Sequence, residues 1–128
     1  MSKILLIDDD EDYSVIIRMR LQKQGYQVER APGCDKAIEL LEKDFGFDVI
    51  ILDVEMPEKN GLATLAYLKG RFMNRPGGFT IPVMIATGLL SSRLRDIFAA
   101  QQVADYIQKP FEISALTERI GTILAKKG

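Results

Sequence analysis

The chain predicts a doubly wound α/β sheet, and three observations carry that reading. Short apolar or β-branched runs recur five times, at "KILLI" (3–7), "YQVERA" (26–31), "DVIIL" (48–52), "IPVMIA" (81–86) and "DYIQ" (105–108). The segments between them have helical periodicity. The runs "LLI", "VIIL" and "VMIA" are continuously apolar instead of alternating, as expected of parallel strands covered by helices on both faces.

Taken in order, the first run meets an acidic stretch, "DDDED" (8–12), in which Asp10 or Asp12 is placed to cap a helix starting near Tyr13. Gly25, after "LQKQ", supplies the left-handed residue that closes this helix before the second strand. Ala37, Ile38 and Leu41 share one face of the next helix, and Gly46, after "EKDF", is expected to close it in the same way. The third run ends in Asp53. A glycine- and proline-rich connection, "KGRFMNRPGGFTIP" (69–82), is expected to be a surface loop, with Gly77 and Gly78 as flexible turn residues. The fourth run reaches Thr87. Leu94, Ile97 and Phe98 define a fourth amphipathic helix, and Ile113, Leu116, Ile120, Ile123 and Leu124 a final one.

At 128 residues with 47% hydrophobic content, residues 1–128 fit a single domain with a real core. Seventeen basic and eighteen acidic residues leave a net charge of -1, so nothing draws this domain toward nucleic acid or anionic lipid. Cys34 is the lone cysteine, which excludes an internal disulfide. The N-terminus lacks the apolar stretch of a signal peptide, and no run is long enough to span a bilayer. A cytoplasmic protein is expected. With no histidine, Ser-His-Asp and Cys-His nucleophile systems and histidine-ligated zinc are excluded.

In an open parallel sheet, ligands bind outside the carboxyl ends of the strands. Those ends here carry Asp8 and Asp9, Asp53, Thr87 and Lys109, and all five are expected to converge. Three carboxylates in one place repel one another, but they suit Mg²⁺, a hard cation that takes oxygen ligands. An EF-hand does not fit, because that loop would need glycine at Tyr13 and glutamate at Met19. A metal-neutralised acidic crevice with a spare carboxylate, a hydroxyl and an ammonium is a phosphoryl-transfer site. Asp53 would be the nucleophile, Lys109 would stabilise charge on the phosphoryl oxygens, and Thr87 would donate a hydrogen bond to one of them.

The residues "IDDD" (7–10), "DVEMPEKNG" (53–61), "ATG" (86–88) and "DYIQKPF" (105–111), in that order at the strand ends, resemble the receiver domain of the two-component response regulators. The resemblance covers Lys3 to about Leu124. It implies a flavodoxin-like (βα)5 fold with strand order 2-1-3-4-5, Asp53 as phosphoacceptor, Asp9 as a direct Mg²⁺ ligand, Asp8 as a ligand largely through water, and the backbone carbonyl of Glu55 as a further ligand. Thr87 and Lys109 would carry switch and phosphate-binding roles, and Tyr106 would be the aromatic whose rotamer reports the state. A cis bond before Pro110 is also implied, aiming Lys109 into the site. The implied partners are a sensor histidine kinase or phosphotransfer protein, and an output protein or domain met by the fourth helix, fifth strand and fifth helix. Arg93, Arg95, Ile97, Phe98, Glu112 and Ala115 are candidate contacts there, and a homodimer on phosphorylation is a further expectation.

Other readings of the same residues stand beside this one. Pro57 and Gly61 are turn residues in any reading. A Mg²⁺-dependent phosphatase with an aspartyl nucleophile is the alternative from the enzyme class; its D-x-D pattern occurs at Asp8 to Asp10, but the hydroxyl or valine expected two residues later does not. A phosphorylation-independent interaction module is the third. Two departures from the receiver pattern are Gln102, where many members place glycine at the end of the fourth helix, and the extended connection from Lys69. Leu89, two residues beyond Thr87, is a bulky apolar group placed to slow hydrolysis of an acyl phosphate.

Overall fold

The computed structural model describes residues 2–54, 61–88 and 92–127. Five parallel strands, β1 (Lys3–Ile7), β2 (Gln27–Ala31), β3 (Val49–Asp53), β4 (Val83–Thr87) and β5 (Asp105–Gln108), form one sheet in the order β2-β1-β3-β4-β5. Between and after them lie α1 (Glu11–Lys23), α2 (Cys34–Lys43), α3 (Gly61–Phe72), α4 (Ser92–Ala99) and α5 (Ile113–Lys127). The strand order reverses at β1: β2 lies on one side of it and β3 on the other, with Ile7 level with both Ala31 and Leu52.

The continuous apolar runs are explained by the two clusters they feed. Leu5, Ile7, Ile50, Leu52, Val83 and Ile85 pack on one face against α2, α3 and Phe98 of α4. Ile4, Leu6, Val49, Ile51, Met84, Ala86 and Ile107 pack on the other against α1 and α5. Side chains alternate between faces along a strand, so a strand buried on both sides must be apolar at every position. Each fully buried Leu or Ile contributes roughly 1.5–3 kcal/mol.

Local chemistry sets the element ends. Asp10 is the residue that caps α1, its backbone extended and its carboxylate accepting from the Tyr13 N–H, which starts the helix at Glu11, ahead of Tyr13. Glu11 and Asp12 complete an acidic first turn beside the helix's positive end. Gly25 follows with φ +94, as a glycine closing a helix does.

Three expectations need correction. Gly46 does not take the left-handed conformation. Instead α2 ends at an extended Asp44, whose Oδ1 accepts the Gly46 N–H at 2.8 Å. A Cβ on Gly46 would lie 2.9 Å from that oxygen, so any larger residue there would displace the exposed Asp44 carboxylate. The connection from Lys69 begins later than the glycine suggests, since residues 69–72 form the last turn of α3, held by burial of Leu68 and Phe72. Gly77 and Gly78 then make a turn at φ +86 and +72. Phe98 is only 1% exposed, so this core residue cannot belong to a contact surface, whereas Ile97 is 37% exposed.

The α4 exit is the other departure. Gln102 has φ +59, the left-handed region that glycine fills at this kind of helix end. Lys69 of α3 donates its ammonium to the carbonyl of Gln101, placing a cation at the negative end of α4.

Candidate functional site

The carboxyl edge of the sheet gathers the sequence-predicted residues. Asp8 follows β1 directly, and its N–H donates to the Ala31 carbonyl of the β2 end at 3.0 Å. Its Oδ1 accepts the Asp10 N–H at 2.9 Å, an Asx turn that bends the chain from strand into helix and points the carboxylate over the sheet. Asp53 is the last residue of β3, adjacent in the sheet to β1. Asp8 and Asp53 are buried, at 1% and 4% exposure, while Asp9 is exposed. Oxygens of these three carboxylates lie within 4.8 Å of one another.

Lys109 supplies the opposing charge. Its Nζ stands 3.1 Å from Asp53 Oδ2 and 3.7 Å from Asp8 Oδ2. The bond from Lys109 to Pro110 is cis. Lys109 is tied to the neighbouring strand by its own N–H, which donates to the Thr87 carbonyl at 2.7 Å. Thr87 ends β4 and is buried, so it borders the same crevice.

The electrostatics follow from burial and crowding. Burial raises the Asp8 carboxyl to about 6, with the nearby Asp53 acting in the same direction and the Asp10 N–H and Lys109 opposing it. Burial alone would lower the Lys109 ammonium, but the carboxylates of Asp8 and Asp53 outweigh it and leave the group above its ordinary value. The donor set is three hard oxygen ligands with too much negative charge for one lysine, which fits a small divalent cation such as Mg²⁺.

Tyr106, the expected switch aromatic, lies on β5, half-buried, with its hydroxyl donating to the Arg95 carbonyl of α4 at 2.9 Å. Glu55, Pro57 and Leu89 lie outside the described residues, and so does the Leu94 side chain. Sequence reasoning misses two residues of this site. Arg30 on β2 donates its Nε–H to the Asp8 carbonyl at 3.2 Å. Tyr13 presents its ring to Lys109, with Nζ 4.7 Å from the centroid. The sequence marks Tyr13 only as the start of a helix; its position three residues past a capping Asp10 is the signal that it turns back toward the acidic crevice.

A doubly wound domain with an acidic crevice at the switch of strand order, and a lysine held across it, defines the class. The family model described as the response regulator receiver domain matches residues 4–121, and the chain belongs to that family. It is 34% identical to the transcriptional regulatory protein CpxR of Escherichia coli over 126 residues, covering 98% of this chain and 50% of CpxR. It is 33% identical to histidine protein kinase 1 of Candida albicans, covering 98% of this chain and 5% of the kinase. The chain thus spans about half the length of CpxR. Among solved structures, the chemotaxis protein CheY4 of Vibrio cholerae superposes with a TM-score of 0.86 at 26% identity, covering 97% of this chain and 99% of that one. A receiver domain of a Syntrophus aciditrophicus histidine kinase gives 0.82 at 29% identity, covering 98% and 92%. No helix among the described residues is long and apolar enough to cross a membrane.

Proposed function

We propose that residues 1–128 form one receiver domain acting as a phosphorylation-dependent switch, with Asp53 accepting a phosphoryl group from a sensor histidine kinase or a phosphotransfer protein. The observation that carries this reading is the carboxylate trio of Asp8, Asp9 and Asp53, clustered within 4.8 Å with the Lys109 ammonium 3.1 Å from Asp53. Asp53 is the nucleophile in this reading because it ends the central strand and faces Lys109 directly. Asp8 and Asp9 would hold Mg²⁺ together with Asp53 and the Glu55 carbonyl. Bound there, the ion supplies positive charge against the carboxylates and the incoming phosphoryl oxygens.

The chain's own residues do the rest. Lys109 keeps its ammonium over Asp53, placed to meet a phosphoryl oxygen, and Thr87 offers its hydroxyl from the adjacent strand end. A phosphoryl group adds about -1.5 to -2 charges and three acceptor oxygens, which draws both residues toward Asp53. Lys109 and Thr87 are joined through their backbones, so the ends of β4 and β5 respond together. Tyr106 carries that response to α4 through its bond to Arg95. The altered face is α4, β5 and α5, where Arg93, Arg95, Ile97, Glu112 and Ala115 would meet an output protein or domain, or a second copy of the chain. The domain is a switch that catalyses its own phosphorylation and dephosphorylation, in the cytoplasm.

Intact mass after incubation with acetyl phosphate and Mg²⁺ tests the reading. The expected result is a gain of one phosphoryl group, lost in Asp53→Asn and without Mg²⁺. No gain in the wild-type protein, together with no binding of a beryllofluoride phosphate mimic, would overturn it in favour of an interaction module.

A further inference from the structure

Tyr13 sits in the first turn of α1, with its backbone and its ring each held by a neighbour. Its N–H donates to the Asp10 carboxylate at 3.0 Å, and its ring meets Phe111 edge-on at 6.1 Å and 75°. Tyr13 and Phe111 both pack against the core between α1, α5 and the sheet. The tyrosine is therefore wedged between the segment that carries Asp8 and the segment that carries Lys109.

Lysine's ammonium is a compact point charge on a flexible stem. Two carboxylates on one side of it set a distance but leave a direction open. The Tyr13 ring closes that direction, with Nζ 4.7 Å from its centroid and the Lys109 side chain only 17% exposed. A lysine over a tyrosine face is attracted by the ring quadrupole, more strongly where water is excluded. We propose that Tyr13 is a positioning residue whose ring face holds the Lys109 ammonium over Asp53 and so sets the rate at which Asp53 accepts a phosphoryl group. This inference rests on the receiver reading.

The contact suits the reaction because a ring face attracts the ammonium without committing any one of its N–H donors, which stay available to oxygen. When Asp53 Oδ attacks the phosphorus of acetyl phosphate, the new P–O bond forms as the bond to the acetate oxygen breaks, and acetate leaves with that electron pair. The ammonium must turn from the Asp53 carboxylate to a phosphoryl oxygen during this exchange. Over the ring it can do so while keeping one partner throughout. Without the ring only Asp8, at 3.7 Å, remains to hold the ammonium through the turn, and the productive orientation is regained less often.

The test is the rate of acetyl phosphate-driven phosphorylation at fixed Mg²⁺, read by intact mass. Tyr13→Leu is expected to slow it by about 2- to 30-fold, the range that a cation–π contact converts to. Tyr13→Phe, which keeps the ring, is expected to stay close to wild type. Phenylalanine bearing one, two or three ring fluorines at position 13 keeps the shape while draining the ring face of charge, and the rate is expected to fall with each fluorine. That series decides the matter even if the leucine variant folds poorly, because a purely structural ring would give a flat response. A flat series in a protein that otherwise accepts phosphate overturns this inference alone. A wild-type protein that accepts no phosphate overturns the receiver reading and this inference with it.

Discussion

Lys109 reaches Asp53 at 3.1 Å from a different strand, and the same ammonium lies 3.7 Å from Asp8, so one cation serves two buried carboxylates. Removing it takes that cation from both buried acids at once, the costly way to break a buried pair. Lys109→Met is expected to lower stability by roughly 3–5 kcal/mol in Mg²⁺-free buffer. Millimolar Mg²⁺ is expected to restore part of that loss, because the ion replaces the missing charge. Urea unfolding of both proteins with and without Mg²⁺ reads this directly, and an equal deficit in both buffers would refute it.

The buried Asp8 gives the metal-free protein a pH dependence of definite sign. Its carboxyl is raised to about 6 in the folded state from 3.8 in an ordinary setting, so the folded protein binds this proton more tightly than the unfolded chain. Asp8 therefore favours folding most below about pH 4, and that contribution is lost as pH rises through 6. The full difference amounts to about 3 kcal/mol at most. Stability measured from pH 4 to pH 7 in wild type and in Asp8→Asn should converge at low pH and separate at neutral pH, with the variant the more stable. A difference that stays constant across that window would contradict the assignment.

Gln102 holds a left-handed backbone at φ +59 with a full side chain. Glycine adopts that conformation without the Cβ clash, so Gln102→Gly is expected to stabilise the protein by about 0.5–1 kcal/mol despite the greater freedom glycine has when unfolded. Thermal unfolding checks this. A fall in the melting temperature would mean that the side chain contributes more than the strain costs.

Tyr106 reaches α4 through its hydroxyl, which donates to the Arg95 carbonyl, and through packing against the cluster that holds Phe98. Tyr106→Phe keeps the ring and removes that bond, at a cost of about 0.5–1.5 kcal/mol. If this bond restrains α4, hydrogen exchange should accelerate for α4 amides and stay unchanged for α2, on the same sheet face. Uniform exchange in both helices would show that packing of Phe98, not the hydroxyl, fixes α4.

Much of this was legible in the chain, for reasons that differ by element. The strands could be read because burial on two faces forces unbroken apolar runs, as from Ile4 to Ile7 and from Val49 to Leu52. Asp8, Asp9, Asp53 and Lys109 could be gathered because strand ends in a parallel sheet share one edge. What could not be read depends on side chains meeting across elements. Asp44 capturing the Gly46 N–H replaced the expected left-handed turn, and burial of Phe72 carried α3 past Gly70. Phe98 and Ile97 are neighbours in the chain, yet only the packing of α4 tells which one is core. Tyr13 became part of the site only once Phe111 and Lys109 had been folded against it.

The amino edge of the sheet is built on the opposite plan. Lys3 pairs with Asp44 at 2.6 Å and takes the Asp48 carboxylate on its backbone N–H at 2.8 Å. Arg71 meets Glu42 at 3.1 Å, and the Arg75 guanidinium covers the Phe45 ring at 3.8 Å, with Phe72 and Phe79 packed around it. This rim answers its own charges, whereas the opposite rim gathers more negative charge than its lysine can neutralise. For anyone wishing to attach a dye or a tether, the exposed Met73 on this rim is accordingly the place: a label there leaves Arg75 on the Phe45 ring and sits at the opposite edge of the sheet from the acids whose response one would want to watch.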